Sequence, residues 1–488
     1  MPFIRFFLFH FISISAQLPA QRAVLKGSLF LVLVVGVCNY LSCFSFIFLY
    51  EIYCLTLFCI FYCFSALTVF FSILKSHGEL LKPHWWQDLF QVILRLFDTF
   101  KLSEDFQEKF EWLSTTCNHA LYAIVDVFTE YFPVLRQVVF SDVLQQLIWC
   151  IQQDSDQLAR SSVNCFESLV LQNGAAFTQD EWASVCKCVV AMFKATTPEA
   201  AMAAMKVDDA MQALSEERKD GNNQRAVITR ARRTTSISRV SPEQTISGDL
   251  IDPRCWSEQD NRFWPLIVKA VAHLELVKTI ESFLIPIDIP KREESDDNPA
   301  IEKPLEAEVI YASLGANELF VICDSLMESH ECAKRFNRNM ELRTELWRLG
   351  YGGRQRPALI RQEVDSLYAL LRILFFMYTS DCTAKHREEL GDRLGNRFSS
   401  LAATIFTTYP EIEDDLIRES YCQVVICLFE SLKKLPEEKF KIHLRDLYTP
   451  AIALLDSKSD LKPEVRKALA NLLRQAAIIF NIVSPTLS

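Results

Sequence analysis

The chain has 488 residues, half of them apolar, with 12 Gly, 18 Pro and a net charge of −10. This is enough for a sizeable core in two to four domains or in one long repeat array, and the scarcity of glycine argues against an all-β chain with many tight turns. Arg5, Arg22, Lys26 and Lys75 against Glu51 give the first 75 residues +3, which leaves −13 on the rest; so acidic a body argues against nucleic-acid binding, because phosphate contacts need a basic face.

Residues 1–75 are an apolar segment. Residues 27–50 carry no charge, and after Glu51 neither do residues 52–74. Each run reaches the roughly 20 residues that cross a bilayer as a helix. Arg22 and Lys26 before the first span and Lys75 after the second put both ends in the cytosol under the positive-inside rule. The Phe/Cys/Leu/Ile-rich composition changes abruptly near Ser76, however, and a translated intron or mis-assembled gene model leaves the same signature. Both readings stand: genuine anchoring, or a segment foreign to the body. If the segment is made, its physics predicts membrane insertion.

From Pro83 the chain reads as successive amphipathic helices, in a helical-repeat region over 83–196. Leu89, Ile93, Leu96, Phe97 and Phe100 follow three- and four-residue steps, as do Val143, Leu144, Leu147, Ile148 and Ile151, and then Leu158, Val163, Phe166, Leu169 and Val170. Asn173-Gly174 is a helix stop, since both residues tolerate the left-handed conformation of a C-cap. Thr178 to Glu181 reads as a capping box. Residues 197–255 form a polar, largely disordered linker, 256–288 a further helix, and 289–308 an acidic linker. The last region, 309–486, is again helical, with helices expected at about 356–380, 384–408, 412–434, 437–456 and 462–482, and Pro463 in the first turn of the last. The fold class is therefore all-α, with stacked antiparallel helix pairs in the manner of a HEAT or armadillo solenoid.

Several blocks carry a family resemblance: Trp85-Trp86-Gln87-Asp88, Thr115 to Ile124, Trp149 to Asp154 running into Arg160-Ser161, Glu328-Ser329-His330 with Phe336-Asn337, Arg343 to Trp347, Arg361-Gln362-Glu363, and Leu371 to Phe375. In this order, from about residue 80 onward, they resemble the region downstream of the catalytic domain in the large brefeldin A-inhibited Arf guanine-nucleotide exchange proteins. The resemblance implies vesicular traffic at trans-Golgi and endosomal membranes, on their cytoplasmic face. It implies as partners Arf-family or related small GTPases, other domains of the exchange factor, and the membrane. In the family, exchange uses a Glu on a Leu-Pro-Gly-Glu-like loop of the Sec-seven domain. Leu435-Pro436-Glu437-Glu438 is the closest string here; it lacks the Gly and reads as a helix start. The chain is thus expected to be a non-catalytic scaffold, with a membrane-anchored helical-repeat adaptor as the alternative.

No chemistry-bearing cluster emerges, and no cofactor or metal is expected. Cys117 and His119 point to different sides of a helix, as do Cys186 and Cys188, and the 16 cysteines follow no zinc or disulfide spacing. Gly350-Tyr351-Gly352-Gly353 lacks the Lys-Ser/Thr of a P-loop. The polar set Asn118, His119, Gln152, Gln153, Asp154, Arg160 and Asn164 is the candidate binding surface. It reads either as a hydrogen-bond ladder stitching repeats or as a groove for a partner, with Arg160 the first choice for an exposed contact. Thr235 and Ser236, after Arg230 to Arg233, are candidate phosphorylation sites.

Overall fold

The computed structural model describes residues 63–98, 113, 117–199, 264–285, 306–348, 356–379, 387–412, 414–456 and 461–482. Among these the regular structure is helical, with no strand. The apolar run 27–50, the start of the run 52–74, most of the linkers at 197–255 and 289–308, Thr235, Ser236 and Gly350 to Gly353 lie outside the described residues. The chain divides into two compact units, Met1–Cys188 with Ser282–Gly315 and Val189–Glu281 with Ala316–Ser488.

The first unit contains α1 (Cys63–His77), α2 (Pro83–Asp98), α3 (Asn118–Glu130), α4 (Phe132–Ile151), α5 (Asp156–Asn173), most of α6 (Gln179–Ala195), the end of α7 (Trp264–Leu284) and α8 (Glu306–Ser313). Helices pack on the next but one, α1 on α3 on α5 and α2 on α4, while α4 also lies against α5. This is the alternation of a stacked-pair repeat, in which each apolar stripe is covered by its neighbours. α4 shows why the stripe widens. With α2 and α5 both against it, it buries Leu135, Val139, Val143, Leu144, Leu147 and Ile151 on more than one face. Its length and apolar composition would also suit a bilayer, and it is the one described helix of which that holds; here that apolar surface is spent on helix packing.

The end of the second apolar run is α1. Phe70, Phe71 and Leu74 are buried, Lys75 Nζ donates to Asp126 Oδ2 of α3 at 2.8 Å, and Tyr131 donates to the Lys75 carbonyl at 2.6 Å. Gly78 follows, where a Cβ would lie 2.5 Å from the Tyr131 ring and 2.7 Å from Trp86. Trp86 is 1% exposed and packs in a tilted arrangement against the half-buried Tyr131, with centroids 5.3 Å apart. Gly78→Ala is therefore expected to lower stability by about 1–3 kcal/mol through overpacking, read as a lower midpoint in chemical denaturation; an unchanged midpoint would show that the Trp86–Tyr131 pair yields freely.

Local signals place the helix ends. Thr178 and Glu181 form the expected capping box, Thr178 N–H donating to Glu181 Oε2 at 2.7 Å and Glu181 N–H to Thr178 Oγ1 at 3.4 Å. Arg136 of α4 donates through Nε to the same carboxylate at 2.8 Å, fixing α6 to the preceding pair. The stop at Asn173-Gly174 falls where expected but by another route. Gly174 has φ −57°, not left-handed, and the chain tightens into a 3₁₀ turn, Gly174–Ala176. Glycine sits there for want of space, a Cβ meeting Ile310 and Trp182 at 3.3 Å.

The second unit holds α9 (Ala316–Arg338), α10 (Met340–Arg348), α11 (Ile360–Thr379), α12 (Arg387–Thr408), α13 (Asp415–Lys434), α14 (Glu437–Asp456) and α15 (Pro463–Ile479), with the end of α6 and most of α7. Again alternate helices stack, α9–α11–α13–α15 in one row and α12–α14 in the other. The all-α helical-repeat architecture is thus present in each unit. Pro463 opens α15 and Glu437 opens α14, as the sequence suggests. α8 starts at Glu306, inside the expected acidic linker, and α11 starts at Ile360 rather than near 356. The delay in α11 has a cause: Arg343 Nε donates to the Pro357 carbonyl and Leu359 N–H to Asn337 Oδ1, both at 2.7 Å, holding the entry strap out of helix.

Candidate functional site: a buried polar seam

A constellation of buried polar side chains lies in the second unit, on faces that helical periodicity reads as core. On α9, His330 and Asn337 are seven residues apart and share a face, with Ser329 one position around. On α11, Gln362 and Ser366 are an i,i+4 pair, with Glu363 on the adjacent face. All six are buried.

The first cluster centres on His273 of α7, which is fully buried. Its Nδ1 lies 2.8 Å from Thr196 Oγ1, and its Nε2 lies 2.6 Å from Ser329 Oγ and 3.2 Å from Gln362 Nε2. Ser329 Oγ is in turn 2.6 Å from Ser366 Oγ. The Thr196 hydroxyl donates to the Met192 carbonyl at 2.9 Å, so the network assigns Nδ1–H as donor to Thr196 and Nε2 as acceptor. Burial pulls the imidazole pKa down to about 4, so the ring is neutral at physiological pH.

The second cluster centres on Glu363. Asn337 Nδ2 donates to Oε2 at 2.6 Å and Tyr421 of α13 donates to Oε1 at 2.7 Å. The Glu363 carbonyl lies 2.7 Å from His330 Nδ1. Arg343 Nη1 also donates to the Asn337 carbonyl at 2.7 Å, so one carboxyl, one amide and one guanidinium join α9, α10, α11 and α13. Burial and the neighbouring Glu363 both push the Tyr421 hydroxyl pKa far up, which keeps it a donor. The third cluster ties α11, α12 and α14: His443 Nδ1 lies 2.7 Å from Ser399 Oγ and Nε2 2.9 Å from Tyr378 OH, while Lys439 Nζ sits 4.0 Å from the centre of the Tyr378 ring. Arg372 pairs with Glu281 of α7, whose carboxyl pKa burial raises despite that partner.

The pair Ser329–His273 has the spacing of a nucleophile and its base. Its third member is a hydroxyl rather than a carboxyl, its base is too weak a proton acceptor near neutral pH, and both side chains are sealed from solvent. What the seam does is fix register. Most of these buried polar groups find a partner on a helix far away in sequence, Gln362 Oε1 being left without one among the described residues, so a slipped pairing would strand several donors at once.

The candidate residues read from sequence lie in the first unit and do not converge on one site. His119 Nε2 lies 3.0 Å from Thr68 Oγ1, linking α3 to α1, and burial lowers its pKa. Asn164 Nδ2 reaches Tyr122 OH at 3.5 Å, linking α5 to α3. Asn118 opens α3, and its Oδ1 is buried with no hydrogen-bond partner among the described residues. Gln153 bonds the Trp149 carbonyl at 2.9 Å and Arg160 bonds Asp156 at 3.0 Å, both within their own turn, while Gln152 and Asp154 are exposed in the α4–α5 connection. Ser329, His330, Asn337, Arg343, Gln362 and Glu363 were legible only as parts of resemblance blocks. The available signal was polar residues recurring at i,i+4 and i,i+7 on apolar helix faces.

Comparison with known proteins is consistent with this placement. The family described as BIG2 C-terminal domain matches residues 271–474, which contain most of the seam. The chain is 35% identical over 445 residues to brefeldin A-inhibited guanine nucleotide-exchange protein 1 of Rattus norvegicus and 34% over 442 residues to that of Homo sapiens, in each case over 86% of this chain and 24% of the relative. It is 22% identical over 436 residues, 85% of this chain and 21% of the relative, to the ADP-ribosylation factor guanine nucleotide-exchange factor sec72 of Schizosaccharomyces pombe. No solved structure matches. The chain spans about a quarter of the length of these relatives. Residues 271–474 thus match the family described as BIG2 C-terminal domain, and the chain is similar to the C-terminal region of the brefeldin A-inhibited guanine nucleotide-exchange proteins.

Proposed function

We propose that the chain is a non-catalytic regulatory and scaffolding region of an Arf guanine-nucleotide exchange factor, acting on the cytoplasmic face of Golgi and endosomal membranes and binding partners through helical-repeat surfaces. The observation that carries the proposal is the fate of the polar chemistry. In the region matching the C-terminal domain, the serine–histidine and carboxyl clusters are consumed in helix-to-helix bonds, leaving the outer faces to do the work. The partners proposed are Arf-family or related GTPases and other domains of the exchange factor. The similarity to Arf guanine-nucleotide exchange factors and the resemblance blocks support this reading.

The alternative, an adaptor fixed by two membrane helices, rests on residues 27–74. Of these, 63–74 lie in α1, where Phe70, Phe71 and Leu74 are turned into the helical unit. The first reading predicts that the full chain, mixed with a GDP-loaded Arf GTPase, leaves the rate of GDP release at its intrinsic value. Stopped-flow fluorescence of a labelled GDP checks it, and catalysed release would refute the scaffold role.

A further inference from the structure

The second apolar run and the helix α1 claim the same residues. Residues 52–74 are uncharged and long enough to cross a bilayer, yet residues 63–74 lie in α1. The two sides of α1 decide between these uses. Phe70, Phe71 and Leu74 are buried, and so is Gly78, just past the helix end. Thr68, Ser72, Lys75 and Ser76 are exposed. Their spacing of three and four residues puts them along one side of the helix. A membrane helix resting against a folded body turns its apolar side to lipid and its polar groups inward. α1 does the reverse, as a helix on a water-facing surface does.

Polar bonds hold α1 to α3 and the turn after it. Lys75 Nζ pairs with Asp126 Oδ2 at 2.8 Å, both side chains about half exposed, and Thr68 Oγ1 lies 3.0 Å from His119 Nε2. Tyr131 donates to the Lys75 carbonyl at 2.6 Å, one of the four that the last turn of a helix leaves without an internal donor. A second, independent observation places α1 with the body. The match to the Rattus norvegicus relative covers 86% of the chain, about 420 of its 488 residues, and leaves about 68 unmatched. That is fewer than the 75 residues of the apolar segment. Even a match running to the last residue begins by about residue 69, inside α1. The change of composition near Ser76 is therefore not the edge of the body.

We infer that α1 is a water-facing helix of the helical-repeat body and that residues 63–74 do not cross a membrane. What remains uncharged after Glu51 is then 52–62. As a helix that stretch reaches roughly 16 Å, about half of a hydrocarbon core, so the two-span hairpin does not form. A lone span at 27–50, with Arg5, Arg22 and Lys26 before it, puts the N-terminus in the cytosol and the body on the opposite side. That placement is incompatible with a scaffold on the cytoplasmic face.

Two experiments on the full chain test the inference. In urea denaturation Leu74→Asp, on the buried side of α1, is expected to lower the unfolding midpoint, whereas Ser72→Asp, on the exposed side, leaves it unchanged. Equal effects of the two substitutions, both silent or both damaging, overturn the proposal. Topology is read by cell-free translation with endoplasmic-reticulum microsomes. Gln152→Asn with Asp154→Thr creates a glycosylation triplet in the exposed α4–α5 connection, and the sequence has no Asn-X-Ser/Thr of its own. The chain is expected to stay unglycosylated and to be released by alkaline carbonate. An unglycosylated chain that resists carbonate is the result of the two-span hairpin and overturns the proposal. A glycosylated chain shows that 27–50 inserts alone. That result upholds α1 as a helix outside the membrane and refutes instead the cytoplasmic scaffold reading, so the two ideas fail on different results.

Discussion

Glu363→Ala should be the most damaging single substitution in the second unit, lowering stability by about 3–5 kcal/mol. The carboxyl side chain is 5% exposed and accepts from both Asn337 and Tyr421. Truncation strands an amide N–H and a phenol O–H away from water, and each orphaned buried donor costs about 1–3 kcal/mol beyond the lost bonds. The cost is cooperative, since Asn337 also orients the α11 entry through Leu359. Glu363→Gln separates geometry from charge. Its carbonyl oxygen still accepts from Tyr421, but its amide faces the Asn337 amide donor to donor, so an intermediate loss of about 1–2 kcal/mol is expected. Urea denaturation of the three proteins checks the order. Equal stability of wild type and Glu363→Ala would mean that the seam is ornamental and that apolar contacts alone set the register.

On the acid side, His273 supplies a large pH dependence. In the folded chain its pKa is about 4, against an ordinary 6.5. Between those values the unfolded chain binds a proton that the folded chain refuses, so stability falls as pH drops from about 6.5 and the loss is complete near pH 4. The difference of 2.5 units corresponds to about 3 kcal/mol. Burial lowers the pKa of His330 and His443 in the same direction, so their contributions add in the same acid window. His273→Gln keeps a donor and an acceptor in the cavity without a titrating ring. The wild-type profile of unfolding free energy against pH, minus that of the variant, should slope between pH 4 and 6.5 and be flat above. A flat difference throughout would show that water reaches the ring and that it titrates like an exposed histidine.

How much of this was legible in the sequence differs by level. Helix ends written in local chemistry came through. The Thr178–Glu181 box, Glu437 after Pro436, and Pro463 all sit at helix starts because capping and proline geometry involve residues within one turn. Where a distant residue intervened, the reading slipped. α11 begins four residues late because Arg343 and Asn337 hold its entry strap, and Gly174 serves as a gap for Ile310 and Trp182 rather than as a left-handed cap. Within the candidate surface, His119 links α3 to α1 and Asn164 links α5 to α3. Gln153 and Arg160 bond within their own turns, and Asn118, His119 and Asn164 share no single cluster.

Periodicity and capping, both local, were enough to establish that the chain is a succession of amphipathic helices, and they could be read without knowing what each helix meets. They report which face of a helix is buried, not which helix lies against it. His273 finds Ser329 across 56 residues, and Glu363 finds Tyr421 across 58. Only the stacking of alternate helices decided those meetings, because a buried donor is satisfied by whichever acceptor the packing brings to it, whatever the sequence distance.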